Sequence, residues 1–499
     1  MKTNVVQHMI RITTVLGLMV LFVFSLSCRR DLSFAQDGVK LTFSKDTVYL
    51  DTVFSGVGSS TYTLRVFNPG NEAVMIDRIF LARGQQSNFR MNVDGNSTKD
   101  ASNVEILPKD SMHIFLEVTG DASGQAELLY EDSIIFINKD VKQWVNVVTL
   151  VEDAYFIFPT NYFPDTEINY SVFPCDTTIN GAGKPVVVYG YAVVDAGCKL
   201  TIENGARIHF HKNSGLWVFN GGTLHVNPDG NADYENPVVF QGDRLEPFYR
   251  DIPGQWGGSL GGVFVMGGSV DNIINNAIVK NGTIGIVADS TTSSQPNLTI
   301  SNTRMFNFSR AALFGGFGHM EAENVVAANC GLYAFYALGG RYSFKHCTFA
   351  NYWNQSSRST PAVGLFNFFE SSSGGIEIRE IQDAYFGNCV IYGVNRNELE
   401  IVKVQGTTLN YRFNHLLLKA HEDAEERSFD ITDSQRFTDV RINLDPVFED
   451  VTKNLYAPDS SNSPLIDRGN ISDGSDVFLD IRGNSRSPLP DLGAYQYVP

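Results

Sequence analysis

From Val39 to Glu152, apolar and polar residues alternate in short runs. Val39-Leu41-Phe43, Tyr62-Leu64-Val66, Met112-Ile114-Leu116-Val118 and Val145-Val147-Thr149-Val151 each set every second side chain on one face. That is the period of half-buried strands. Asn68-Pro69-Gly70-Asn71 reads as a turn, because proline presets φ and glycine accepts a positive φ. About seven short strands in about 115 residues predict a two-sheet β-sandwich, without a core disulfide because no cysteine lies in the span.

After Pro159 the pattern changes from alternation to repetition. Asn276, Asn302, Asn324, His346, Asn388 and Asn414 each precede a short apolar run, at spacings of 26, 22, 22, 42 and 26 residues. Forty-two is read as two periods of about 21, with Asn367 as a weaker member midway. One polar residue recurring about every 22 residues before an apolar strand predicts a right-handed parallel β-helix, with strands of successive coils about 4.8 Å apart. The recurring asparagines would then stack as a ladder, each side-chain amide bonding the next coil. Lys199–Phe210, Gly215–Phe219 and Gly222–Val226 keep the strand pattern without the asparagine. The β-helix is placed at 160–430, starting with the strand Tyr189 to Val194, and a C-terminal segment, 431–499, is expected to pack on it. Cys347 and Cys389 each follow a ladder position directly. On this count they lie two coils apart, too far for a disulfide, as buried thiols. Cys175 and Cys198 either bridge or are simply buried.

The first 27 residues stand outside the fold. Lys2 and Arg11 precede an apolar run from Val15 to Leu26, long enough for a signal-peptide core and short for a spanning helix. Ser25-Leu26-Ser27-Cys28 resembles a bacterial lipobox, with its leucine two rather than three places before the cysteine. That resemblance implies lipidation at Cys28 and an anchor made of acyl chains. The competing readings are a plain secretory signal cleaved after Ser27 and an uncleaved anchor. Residues 28–37 read as a linker and 38–155 as the sandwich. Arg29-Arg30 after the cysteine leaves open which face of the membrane the chain occupies.

Composition narrows the function. The chain has 499 residues and a formal charge of −17, and without Lys2 and Arg11 it keeps 36 basic against 55 acidic residues. No basic cluster exists to hold a phosphate backbone, so nucleic acid is excluded as a partner. With 44 glycines, 35 phenylalanines and only 19% charged residues, the composition suits extended β architecture.

Tyr62 to Glu72 and Leu107 to Ile114 resemble the abnormal-spindle and Hydin type of immunoglobulin-like domain, which implies the fold and nothing about chemistry. Trp256-Gly257-Gly258, Gly268-Ser269 and Ile278 to Gly282 resemble a coil signature of β-helix lipoproteins from the Bacteroidota. Leu444-Asp445-Pro446, Asn462 to Gly469, Asp480-Ile481-Arg482-Gly483 and Pro490 to Tyr495 are similar to the C-terminal segment of that group. The resemblance covers roughly residues 160 to 499. It implies an all-β chain, an immunoglobulin-like β-sandwich followed by a right-handed parallel β-helix of the pectate-lyase-like superfold, in the cell envelope at the outer membrane. It implies no activity.

The chemistry known on such β-helices needs constellations that this sequence lacks. Galacturonan hydrolases use Asp-Asp and Gly-His-Gly motifs on adjacent coils; here no Asp-Asp occurs in the repeats, and Gly318-His319-Met320 stands alone. Lyases need acidic Ca²⁺ ligands beside an Arg or Lys base, and no aspartate lies between Asn297 and Gln382. Glu321 and Glu323 share a strand face and read as solvated carboxylates. His209 and His211 share a face without a third metal ligand and read as exposed or turn-satisfied. His415, near Glu422 and Asp423, reads as part of a solvated loop. No cofactor is expected, with Ca²⁺ on loop aspartates left open. The best surface candidate is the insertion after His346: Tyr352, Trp353, Asn354 and Gln355, with Phe366, Phe368 and Phe369. Rings stack on pyranose faces while amides bond hydroxyls; ordinary β-helix core is the competing reading. The expectation is a lipid-anchored, non-catalytic binding or adhesion module, for glycan. The alternatives are a polysaccharide lyase or hydrolase with an unfamiliar site, and a structural partner of an outer-membrane assembly.

Overall fold

A computed structural model describes residues 33–499 except 165, 167, 229–233, 372–373 and 475. The signal segment and the expected lipidation site, Cys28, lie outside the described residues. The chain forms two compact units. The second runs from Glu152 to Pro499 and also takes in Thr52–Ser55 and Ala122–Leu128.

The first unit is an immunoglobulin-like sandwich of two five-stranded sheets. Leu64, Val66, Ile114, Leu116, Val145 and Val147 are buried between them, as the alternation predicts. The strands number ten rather than seven, because short pieces such as Asn96–Thr98 pair as separate edges. Asn68 is buried at the turn. Its Nδ2 donates to the carbonyls of Glu72, Ile106 and Leu107 while its Oδ1 accepts from Gly70 N–H. Residues 33–37 are not a free linker: Phe34 bridges Ala73, and Ala35 N–H donates to the Ala73 carbonyl.

The second unit is a right-handed parallel β-helix. Among the described residues its two large sheets have 18 and ten strands, with successive coils paired in parallel. Parallel pairing begins with Tyr155–Ile157 against Val186–Val188, ahead of the expected start, and continues to Phe437–Ile442. Inside, Phe344, Phe386, Phe413 and Phe437 stack coil on coil with centroids 5.0, 4.7 and 5.3 Å apart. Cys175 and Cys198 form a disulfide, with Cα atoms 4.7 Å apart.

The corner between strands needs a left-handed residue, which asparagine tolerates better than other side-chain-bearing residues. Asn276, Asn302, Asn324, His346 and Asn388 all have φ between 47° and 55°. Asn324 Nδ2 donates to Asn302 Oδ1 at 3.0 Å, Asn302 Nδ2 to Asn275 Oδ1 at 2.9 Å, and Asn388 Nδ2 to His346 Nε2 at 3.0 Å. At the next coil the corner residue is His415, φ 53°, and not Asn414. Register decides it: Asn414 is aligned with Gly387, one place before Asn388. Its side chain instead reaches Asp473 Oδ1 at 3.4 Å. A second ladder that sequence reading missed runs through Asn281, Asn307 and Asn329, also left-handed.

The 42-residue gap is one coil carrying an insertion. Thr348 is aligned directly with Val390, so Cys347 and Cys389 sit on adjacent coils rather than two apart. Both are buried free thiols. Asn367 is not a rung; it ends a strand of the ten-stranded sheet, where its amide donates to the Thr408 carbonyl and its Oδ1 accepts from Val404 N–H.

His209 is buried rather than exposed, with Nδ1 3.1 Å from the Gly242 carbonyl. Burial lowers its pKa from 6.5 to about 4. Below about pH 6.5 the unfolded chain therefore takes up a proton that the native ring refuses. Stability from this group is fully present above that pH and falls as pH drops towards about 4, by about 3 kcal/mol over the whole window. Unfolding free energies at about pH 7 and about pH 4.5 should show a smaller acid loss in His209→Gln than in the parent. An equal loss in both would contradict the assignment.

Candidate functional site

The platform predicted at Tyr352, Trp353, Asn354 and Gln355 does not form, while Phe366, Phe368 and Phe369 stay half-exposed. Trp353 is buried, its indole N–H donating to Ser356 Oγ at 2.9 Å. Tyr352 is packed against Phe448 and Tyr456 of the C-terminal segment. Asn354 and Gln355 stay exposed, so the amides have no ring beside them to form a sugar platform. The reason is area: large rings beside a covering segment bury themselves. The insertion is held from within by an ion pair. Arg358 donates to Glu398 at 2.7 and 2.9 Å with both side chains inaccessible, and Glu398 also accepts from Ala362 and Asn395 N–H.

Two outer faces of the β-helix gather functional groups instead. On the 18-stranded sheet, Thr299, Glu321, Ser343, Tyr385 and Arg412 form one outward row, and Ser301, Glu323, Lys345 and Asn414 belong to a second. Beside them lies a cleft of about 540 Å³ lined by the Ser290–Ser293 turn, Phe317, His319, Arg341, Arg379 and Gln382. Arg341 Nε donates to Gln382 Oε1, and His319 Nε2 lies 3.8 Å from Glu321 Oε1. Phe317 is held at φ 70°, a costly conformation for a bulky residue. Its ring lies under the Arg379 guanidinium, 4.9 Å away.

Burial lowers the pKa of His319, which favours the neutral ring. Burial, with Asp476 and Glu321 adding to it, raises the carboxyl of Glu323. Lys345 is taken by Asp476 at 2.8 Å. Farther along, His415 is not a solvated loop residue: its Nδ1 lies 2.6 Å from Asp473 Oδ2, and Tyr385 donates to Asp473 Oδ1 at 2.8 Å. Among the described residues, no group of three or more His, Cys, Asp or Glu side chains is placed to hold a metal ion. His211 is paired with Asp243, 2.7 Å away.

The outer face of the ten-stranded sheet is aromatic. Val193, Trp217, Phe264, Val287, Phe314, Tyr336, Gly364 and Glu400 form a single column, one residue per coil. Trp217 is buried, whereas Phe264, Phe314, Tyr333, Tyr336 and Phe366 are half-exposed. Centroids are 5.4 Å apart for Phe314–Tyr336, 4.8 Å for Tyr333–Tyr336 and 5.2 Å for Tyr336–Phe366. A Cβ on Gly364 would meet Phe366 at 2.6 Å and Tyr333 at 2.9 Å, so both rings lie across the glycine. Burial raises the carboxyl of Glu400, next in the column, and Arg310 lies near enough to Tyr336 to act on its phenol. The signal for this terrace was the 22-residue step from Phe314 to Tyr336, equal to the step from Asn302 to Asn324.

No protein-family model matches the chain, and no curated protein matches it. A Streptomyces thermodiastaticus GH87 α-1,3-glucanase catalytic unit aligns at 7% identity over 71% of this chain and 73% of that one, TM-score 0.26. Pectate lyase Pel9A aligns at 12% identity over 70% and 88%, TM-score 0.26. The Vibrio cholerae VesB protease aligns at 11% identity over 22% of this chain, TM-score 0.17, and the match spans only 31% of that protease. Likenesses this weak carry no argument about activity.

Proposed function

We propose that the chain is a non-catalytic recognition module of the cell envelope that binds glycan along the aromatic face of its β-helix. The observation that carries this reading is the half-exposed group of Phe314, Tyr333, Tyr336 and Phe366, in which Phe314, Tyr336 and Tyr333 stack and the rings of Tyr333 and Phe366 meet over Gly364. Ring faces turned outward are what a pyranose stacks on, and Glu400 and Arg310 at the margins supply hydrogen-bonding partners for hydroxyls. The envelope setting and the anchor at Cys28 are supported by the signal-like leader and the lipobox resemblance. Among the described residues no helix is long and apolar enough to cross a membrane. The expected result is retention of the purified chain in affinity gels containing one class of polysaccharide. Tyr336→Ala and Phe366→Ala should each weaken that retention about tenfold while the chain stays folded, as read from an unchanged far-ultraviolet circular dichroism spectrum. Retention that survives both substitutions would overturn the placement.

A second reading is favoured by Glu323. Its raised carboxyl beside Glu321 is the kind of pair that hydrolytic acid–base chemistry uses. It predicts polysaccharide turnover that Glu323→Gln abolishes.

A further inference from the structure

The C-terminal segment contains a cavity of about 230 Å³ that neither outer face uses. His346, Ile471, Val477, Phe478, Arg486 and Pro488 are among its lining residues. Its apolar walls include side chains that the fold leaves in water: Phe478 is 73% exposed and Ile471 59%. Isolated exposed apolar residues are ordinary, but a group of them around one opening marks a contact site.

The polar lining is unusual in the other direction. Arg486 is buried, and its hydrogen bonds all go to neutral acceptors: Asn324 Oδ1 at 2.8 Å and the carbonyls of Gly493 and Asp491 at 3.1 and 3.5 Å. Its Nε has no partner, and neither does Nδ1 of the buried His346. The carboxylates that act on it most strongly are Asp480 and Asp491, whose oxygens accept from other amides. Asp480 accepts from Arg482, Asn484 and Gln496 N–H, and Asp491 from Asp467 and Tyr497 N–H. These two carboxylates oppose the effect of burial, which lowers the pKa of Arg486 to about 10, so the guanidinium stays charged at neutral pH. His346 is held neutral by burial and by Arg486 itself. A buried cation with an unfilled donor and no carboxylate in contact is costly unless an acceptor joins it.

We propose that this cavity binds a small amphiphile, an apolar chain bearing a carboxylate, with the chain against Ile471, Val477 and Phe478 and the carboxylate towards Arg486. The volume is below the range usual for drug-sized ligands, which fits a short chain. The site is separate from the glycan reading and does not depend on it.

Isothermal titration of the purified chain with octanoate tests this, with 1-octanol and acetate as parallel arms. Substituting Arg486 would also break its bonds to Asn324 and Gly493, so the informative variant is Phe478→Ser, at a side chain mostly in water. The expected result is saturable binding of one octanoate per chain, at least about tenfold weaker binding of octanol, and none of acetate. Phe478→Ser should weaken octanoate binding about tenfold at an unchanged melting temperature. No saturable octanoate binding at millimolar concentration, octanol bound as well as octanoate, or a Phe478→Ser chain that binds like the parent would each overturn the proposal.

Discussion

Arg358→Ala should lower the unfolding free energy of the β-helix by about 3–5 kcal/mol at neutral pH, read from urea denaturation followed by tryptophan fluorescence. Arg358 and Glu398 are fully inaccessible, and the guanidinium also donates to the Asn351 carbonyl. Removing it leaves a carboxylate in a dry interior with only the Ala362 and Asn395 amides for company. Even with Arg358 present, burial holds the Glu398 carboxyl above its ordinary range. Without it the folded-state pKa should rise further. A carboxyl whose folded pKa lies above its unfolded value contributes stability that is present below the unfolded pKa and lost as pH rises. The deficit of Arg358→Ala should therefore shrink below about pH 4.5 and be full at neutrality. A deficit under about 1 kcal/mol at neutral pH, or one that grows in acid, would contradict this account.

Asn324→Ala should have a comparable effect, about 3–5 kcal/mol. Asn324 donates to Asn302 Oδ1 and the Leu479 carbonyl and accepts from Arg486 Nη2. It thus joins one coil to the next and to the C-terminal segment. Its removal strands buried groups at about 1–3 kcal/mol each, not fully additive. Alanine would also carry the left-handed backbone at φ 52° without a compensating side-chain bond. Asn324→Gly separates the two causes, since glycine accepts the backbone and restores none of the bonds. It should recover about 1 kcal/mol relative to alanine and no more. Full recovery would mean that the ladder bonds contribute little.

The β-helix was legible because its corner imposes a chemical requirement once per coil. A left-handed residue with a hydrogen-bonded amide recurs at Asn276, Asn302 and Asn324, and a periodic pattern survives even without knowledge of contacts. The same arithmetic failed where two causes give one number. An inserted hairpin and loop between His346 and Asn388 is as long as an extra coil, so Asn367 looked like a rung and Cys347 and Cys389 looked far apart. At Asn414-His415 either residue could turn the corner, and only pairing with Gly387 shows that His415 does.

The functional surface was harder to read, because its members come from different coils. Phe314, Tyr336 and Phe366 lie 22 and 30 residues apart and become neighbours only when the coils stack. Tyr352 and Trp353, adjacent in sequence, looked more like a platform than they are. Sequence alone does not show that the C-terminal segment covers Tyr352.

The most direct measurement exposes purified residues 29–499 to a broad polysaccharide panel with Ca²⁺. Affinity-gel retention and product formation, as reducing ends and unsaturated uronates, are followed on the same samples. The account predicts retention on one polymer class, abolished by the paired substitution Tyr336→Ala and Phe366→Ala, with no product released. Product formation that depends on Glu323, or no retention on any polymer, would contradict it.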